Sequence, residues 1–174
     1  MTQHVLFSPL ALLALCAPLL SSVPAAAQDN VAREWERRVG DWTVARYLVA
    51  GTRRLARCDW ERSQPDGSLL RVLAMPGRGL VIGFASGNEA LDRLGPRFAV
   101  RYWVDDAAGA QTAQAIIGPP GFARFSEPDG EPGSEDGLAN GQALFIQAGQ
   151  ATLRFPSARS NAAFRQLFDC AGRP

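Results

Sequence analysis

Between Asp41 and Phe125 the chain is a succession of short runs rich in Val, Leu, Ile, Trp, Tyr and Phe, each cut off by a turn built on Gly or Pro. Runs this short, with β-branched and aromatic residues, are the signature of strands. Trp42 to Val49, Leu55 to Glu61, Ser68 to Met75, Leu80 to Ala85, Phe98 to Val104 and Thr112 to Ile117 are predicted strands. The segments between them include Ala50-Gly51-Thr52, Gln64-Pro65-Asp66-Gly67, Pro76-Gly77-Arg78-Gly79, Asp105 to Gly109 and Gly118-Pro119-Pro120-Gly121. Gly supplies positive φ and Pro presets φ near −65°, so each is a turn with a mechanism. Short turns join antiparallel neighbours. Ala143 to Gln147 and Ala151 to Phe155 add two strands around Gly149. The expected class is mainly β, an antiparallel β-sandwich or barrel of about seven to nine strands.

Helical spacing is expected only at the two ends. From Asn30 to Val39, apolar Val31, Trp35 and Val39 recur at i, i+4, i+8 among charged residues, with Asn30 placed to cap and Gly40 to stop. This predicts a short N-terminal helix docked by Trp35. From Ser160 to Cys170, Ala163, Phe164, Leu167 and Phe168 share one face, Ser160 suits the N-cap and Gly172 the stop. Ser86 to Gly95 is left irregular, and Ser126 to Gly137, acidic and rich in Pro and Gly, is the most loop-like stretch. No repeat or second domain is visible, so residues 28–174 read as one β-rich domain.

The first 27 residues read as an export signal. Val5 to Leu20 is apolar apart from Ser8, and Ala25-Ala26-Ala27 offers the small residues that a signal peptidase needs before Gln28. The apolar run falls short of the ~20 residues of a membrane span and is broken by Pro9 and Pro18. Lipidation at Cys16 would require a small preceding residue, and Leu15 is not small. The expected location is therefore periplasmic or secreted. Removal of Cys16 with the signal leaves Cys58 and Cys170, which in an oxidising compartment are expected to form a disulfide; two buried free thiols are the alternative.

Composition excludes more chemistry than it suggests. All 18 basic residues are Arg, and the only His is His4, inside the signal. Without His or Lys in the mature chain there is no Ser-His-Asp triad, Cys-His dyad, Ser-Lys pair or Schiff-base lysine, and the usual zinc sites and the phosphate-binding lysine loop are missing. No cofactor is expected. The net charge of +1 gives no nucleic-acid footprint. Arg in place of Lys is read as a codon bias rather than a specific anion site.

Carboxylates remain. Asp59 and Glu61 share one strand face, and Asp105 and Asp106 are adjacent; either pair could in principle serve a glycoside hydrolase. The plainer expectation is that Asp59 and Glu61 face solvent while Cys58 and Trp60 face the core, and that Asp105-Asp106 opens a turn. The acidic loop 126–137 offers oxygens to a cation such as Ca²⁺ but lacks the EF-hand spacing. Trp42, Trp60 and Trp103, in strands, are expected to pack in the core rather than stack on a ligand.

Gly40-Asp41-Trp42-Thr43-Val44, then Cys58 after a hairpin, then Ala163-Phe164-Arg165-Gln166-Leu167-Phe168-Asp169-Cys170-Ala171, resembles the invasion-associated locus B family of small exported bacterial proteins. Where members of that family carry another Cys soon after the first Trp, this chain has Ala45, Arg46 and Tyr47. The resemblance implies a β-sandwich-like exported domain without an established enzymatic activity. The expected function is a non-enzymatic module that binds a protein or envelope component. A carboxylate-based glycan hydrolase and a binder of small apolar ligands in a barrel mouth lined by Trp and Phe are the alternatives. The three predict different geometry: two facing acids in a cleft, an enclosed apolar pocket, or an exposed apolar patch.

Overall fold

The computed structural model describes residues 30–88, 90–118, 121–127 and 134–172. The expected export signal, with Cys16, and residues 128–133 of the acidic stretch lie outside the described residues. The elements are β1 (Val31–Val39), β2 (Trp42–Val49), β3 (Leu55–Ser63), β4 (Leu69–Ala74), β5 (Leu80–Ala85), β6 (Arg97–Val104), β7 (Gln111–Gly118), β8 (Phe122–Ser126), α1 (Ser134–Asn140), β9 (Ala143–Ala148), β10 (Ala151–Pro156) and α2 (Asn161–Ala171). All ten strands belong to one antiparallel sheet in the order β1-β2-β3-β4-β5-β8-β7-β6-β9-β10. The protein is mainly β, as its sequence predicts, with more strands than the expected seven to nine.

Backbone ladders do not close the sheet into a barrel. Side chains span the remaining seam: Arg62 Nη1 donates to the carbonyl of Pro156 at 2.9 Å, and Gln64 Nε2 to that of Arg154 at 3.1 Å. These bonds hold the end of β3 against the outward carbonyls of β10.

One face of the sheet encloses the core. Val44, Trp60, Val72, Ile82 and Phe125 stand side by side in register across five strands, and all are buried. Alternation places them there, since every second side chain of a strand points to the same face. Trp42 and Trp60 stack with centroids 3.8 Å apart and planes 9° from parallel, and Phe164 of α2 meets Trp60 edge-on at 5.3 Å. The strand tryptophans therefore pack as expected at 42 and 60. Helix α2 lies on β2, β3 and β4, burying Ala163, Phe164, Leu167 and Ala171, and stops where Gly172 turns left-handed at φ 67°. Cys170 leaves this helix to join Cys58 of β3 in a disulfide, with Cα atoms 6.1 Å apart and a sequence separation of 112.

Four expectations need correction. The N-terminal segment is strand β1, not a helix, and Trp35 packs on the margin of the core from that strand. A spacing of four residues is also two periods of a strand, so Val31, Trp35 and Val39 could not separate the two structures. Pairing decides: the two-residue turn Gly40-Asp41, with Gly40 at φ 63°, sets Val39 against Trp42 and zips β1 onto β2. From that turn the register runs unbroken back to Trp35 opposite Arg46, which keeps Trp35 and Val39 on one side of the strand, and it shifts only beyond them, between Arg33 and Trp35. The five charged residues of β1 are all exposed along the sheet margin.

β8 is a second unforeseen strand; it folds back on its sequence neighbour β7 and pairs on its other side with β5. The acidic stretch ends in helix α1 from Ser134 onward, anchored by the buried Leu138. Gly137 and Gly141 let α1 approach Val104, since a Cβ on Gly141 would lie 2.2 Å from Val104 Cγ1. Ser160, finally, makes no side-chain cap; its Oγ donates to the Leu138 carbonyl at 2.7 Å and ties α2 to α1.

Candidate functional site

The face of the sheet turned away from the core carries charge. Thr43, Glu61, Arg71, Gly83, Arg124, Ile116 and Arg97 follow one another across it, one from each strand between β2 and β6 in sheet order. The adjoining row runs Ala45, Asp59, Leu73, Val81, Ser126. Along these rows a groove of 1350 Å³ opens. Pockets for drug-sized molecules span roughly 300–1,000 Å³, so this one is larger than a small ligand needs.

Five arginines line it, Arg54, Arg57, Arg71, Arg78 and Arg124, and no described lining residue is Asp or Glu. Its apolar surface comes from Leu55, Leu73, Met75, Val81, Ile116 and Phe122. Ile116 is 45% exposed and is the one large exposed hydrophobic side chain among the described residues. Gly83 makes the floor possible: a Cβ there would lie 2.3 Å from Phe122 Cζ, so only glycine lets the ring lie across β5.

Two of the arginines are held by carboxylates, and three have no such partner among the described residues. Arg57 Nε donates to Asp59 Oδ1 at 2.9 Å while its guanidinium lies 4.4 Å from the Tyr47 ring centroid. Arg71 Nε donates to Glu61 Oε2 at 2.6 Å, and its guanidinium lies 5.4 Å from the centroid of Phe122. Arg54, Arg78 and Arg124 are exposed and have no ion pair among the described residues. Ordering Arg57 and Arg71 against rings and acids spares an incoming anion part of the entropy of fixing them.

Asp59 departs from the expectation that it faces solvent. It does point away from Cys58 and Trp60, but it is only 3% exposed beneath the two arginines, and its Oδ2 finds no hydrogen-bond partner among the described residues. Burial raises its pKa above 3.8, outweighing the opposing pull of Arg57 and Arg71. A group protonated more readily in the folded than in the unfolded state favours folding once protonated. Its stabilising effect is therefore complete below the ordinary pKa and is lost as pH rises through the raised one. Asp59→Asn should remove this dependence: in melting series between about pH 3 and pH 7, the stability of the native protein relative to Asp59→Asn should improve as pH falls. A constant difference across the series would contradict the burial assignment.

The other candidate groups serve the scaffold. Asp105, at φ 54°, accepts backbone N–H bonds from Gln142 and Ala143, and Asp106 accepts from Ala108 N at the start of a 3-10 turn. Trp103, expected in the core, is instead only partly buried and lies outside the core cluster, where it stacks on Phe145 at 5.5 Å. No group of three or more His, Cys, Asp or Glu placed to hold a metal occurs among the described residues. Comparison with protein-family models, curated proteins and solved structures gives no match to this chain.

The groove arginines were not singled out by sequence reasoning, which set the all-Arg composition aside as codon bias. They come from segments between residues 54 and 124, and only strand register assembles them. A faint signal exists in phase: Arg57, Arg71 and Arg124 each sit between residues of the core-facing register, Ala56 aside, so their side chains share the opposite face.

Proposed function

We propose that this protein is an exported, non-enzymatic binding module whose recognition surface is the arginine-lined groove, and that its partner is an anionic component of the bacterial envelope. The observation that carries the reading is five guanidinium groups around an apolar floor with no described carboxylate lining it. A site of this composition attracts and holds negative charge through charge-assisted hydrogen bonds. Its described lining includes no carboxylate, and the neighbouring acids Asp59 and Glu61 are each engaged by an arginine. That disfavours the hydrolase alternative. The stacked Trp42 and Trp60 lie in the core rather than around a barrel mouth, which disfavours a purely apolar ligand.

Export is supported by the Cys58–Cys170 bond, of a kind that persists in oxidising compartments, and by the signal-like start of the sequence. No helix among the described residues is long and apolar enough to cross a membrane. Kinship with the invasion-associated locus B family rests on the patches around Trp42 and before Cys170.

Arginine-directed labelling tests the reading. Phenylglyoxal modification followed by peptide mass spectrometry should show Arg54, Arg78 and Arg124 protected by the anionic fraction of an envelope extract, with Arg159 and Arg165 unchanged. Absence of protection in the groove would overturn the assignment.

A further inference from the structure

The groove combines two chemistries, and together they narrow the occupant. Its floor is mostly aliphatic, from Leu73, Val81, Met75 and Ile116, with the Phe122 ring set among them. Aliphatic side chains offer methylene groups a matching surface but give bases and sugar rings no face on which to stack; single-strand nucleic-acid sites rely on aromatic platforms instead. A small free anion would use the arginines and leave the floor wet. An uncharged apolar molecule would cover the floor and leave Arg54, Arg78 and Arg124 without a counter-charge.

We propose, resting on the anion-binding reading above, that the occupant is a single anionic lipid, its acyl chain laid on the aliphatic floor and its headgroup phosphate or carboxylate taken by the exposed arginines. Charge complementarity is the ground for this choice: three arginines without an ion pair among the described residues line the same groove as the one exposed large hydrophobic side chain among them, Ile116, which Arg124 faces in register. The volume of 1350 Å³ accommodates more than a headgroup alone. Gly83 deepens the floor, because it removes the side chain that would lift Phe122 away from β5.

Calorimetric titration of the signal-free protein with monomeric lysophosphatidylglycerol tests the proposal, with lysophosphatidylcholine of the same chain length and glycerol phosphate as comparators. The anionic lipid should bind at least about tenfold more tightly than the zwitterionic one, and glycerol phosphate should not bind measurably. Shortening the acyl chain by two methylenes should weaken binding by about tenfold. Arg124→Gln and Ile116→Asp each change an exposed side chain and should each weaken binding by about tenfold, with unchanged circular dichroism. Glycerol phosphate binding as tightly as the lipid would identify a free-anion site and overturn the proposal, and so would lipid binding indifferent to both variants. If no lipid binds while the envelope fraction still protects the groove arginines, the lipid proposal fails and the anion-binding reading stands. Loss of both results removes the two together.

Discussion

Replacing both Cys58 and Cys170 by alanine is expected to lower the unfolding free energy by about 4 kcal/mol, within the roughly 2–5 kcal/mol typical of native disulfides in small secreted domains. The bond spans 112 positions and ties a helix that follows every strand to the third strand of the sheet. In the chain-entropy account, closing a loop of ~100 residues restricts the unfolded chain by about 4.7 kcal/mol. Alanine is the informative replacement, because Cys58 is fully buried and serine would bury a hydroxyl as well. Urea denaturation of the double variant against the native protein measures the effect. A loss below about 1 kcal/mol would mean that the unfolded chain is already constrained or that packing alone holds α2 in place.

Trp60→Ala is expected to cost about 3–5 kcal/mol, the range for deleting a large aromatic from a packed core. Trp60 is fully buried, stacks on Trp42, receives the edge of Phe164 and stands in register between Val44 and Val72. Its loss removes contacts to two strands and to α2 at once. Trp60→Phe is the useful control. It keeps a ring against Trp42 and deletes an indole N–H that is buried without an acceptor among the described residues, so it should cost much less than the alanine variant. Denaturation followed by circular dichroism distinguishes the two, and equal losses would show that ring stacking is not what Trp60 supplies. Domains of this kind are stable by about 5–15 kcal/mol, so either alanine experiment removes a large fraction of the total.

The sequence was most legible where one face of each strand is buried. Trp42, Val44, Trp60, Val72 and Ile82 are apolar residues at every second position of their strands, all on the core face, and the turns at Gly51, Gly67, Gly77 and Gly149 each adopt the positive φ that glycine permits. It was least legible where a spacing fits two periods, as in β1, or where a strand is short and one of its two partners is distant in sequence, as for β8 beside β5. Asp59 shows a different limit. Alternation gave its face correctly, but burial on that face depends on Arg57 and Arg71 folding over it, and Arg71 comes from a neighbouring strand. The groove itself was invisible for the same reason: each arginine looks ordinary in its own segment.

The two margins of the sheet have a consequence for self-association. A ten-stranded open sheet would ordinarily invite other chains to add strands at its ends, since each margin offers unpaired backbone donors and acceptors. Here β1 sets exposed Arg33, Glu34, Glu36, Arg37 and Arg38 along one end, so an incoming copy would meet charge at nearly every step. At the other end, Arg62 and Gln64 already occupy carbonyls of β10, and Pro156 has no N–H to give. Each end of the sheet thereby carries features that hinder the addition of further strands, charge at one and occupied carbonyls at the other.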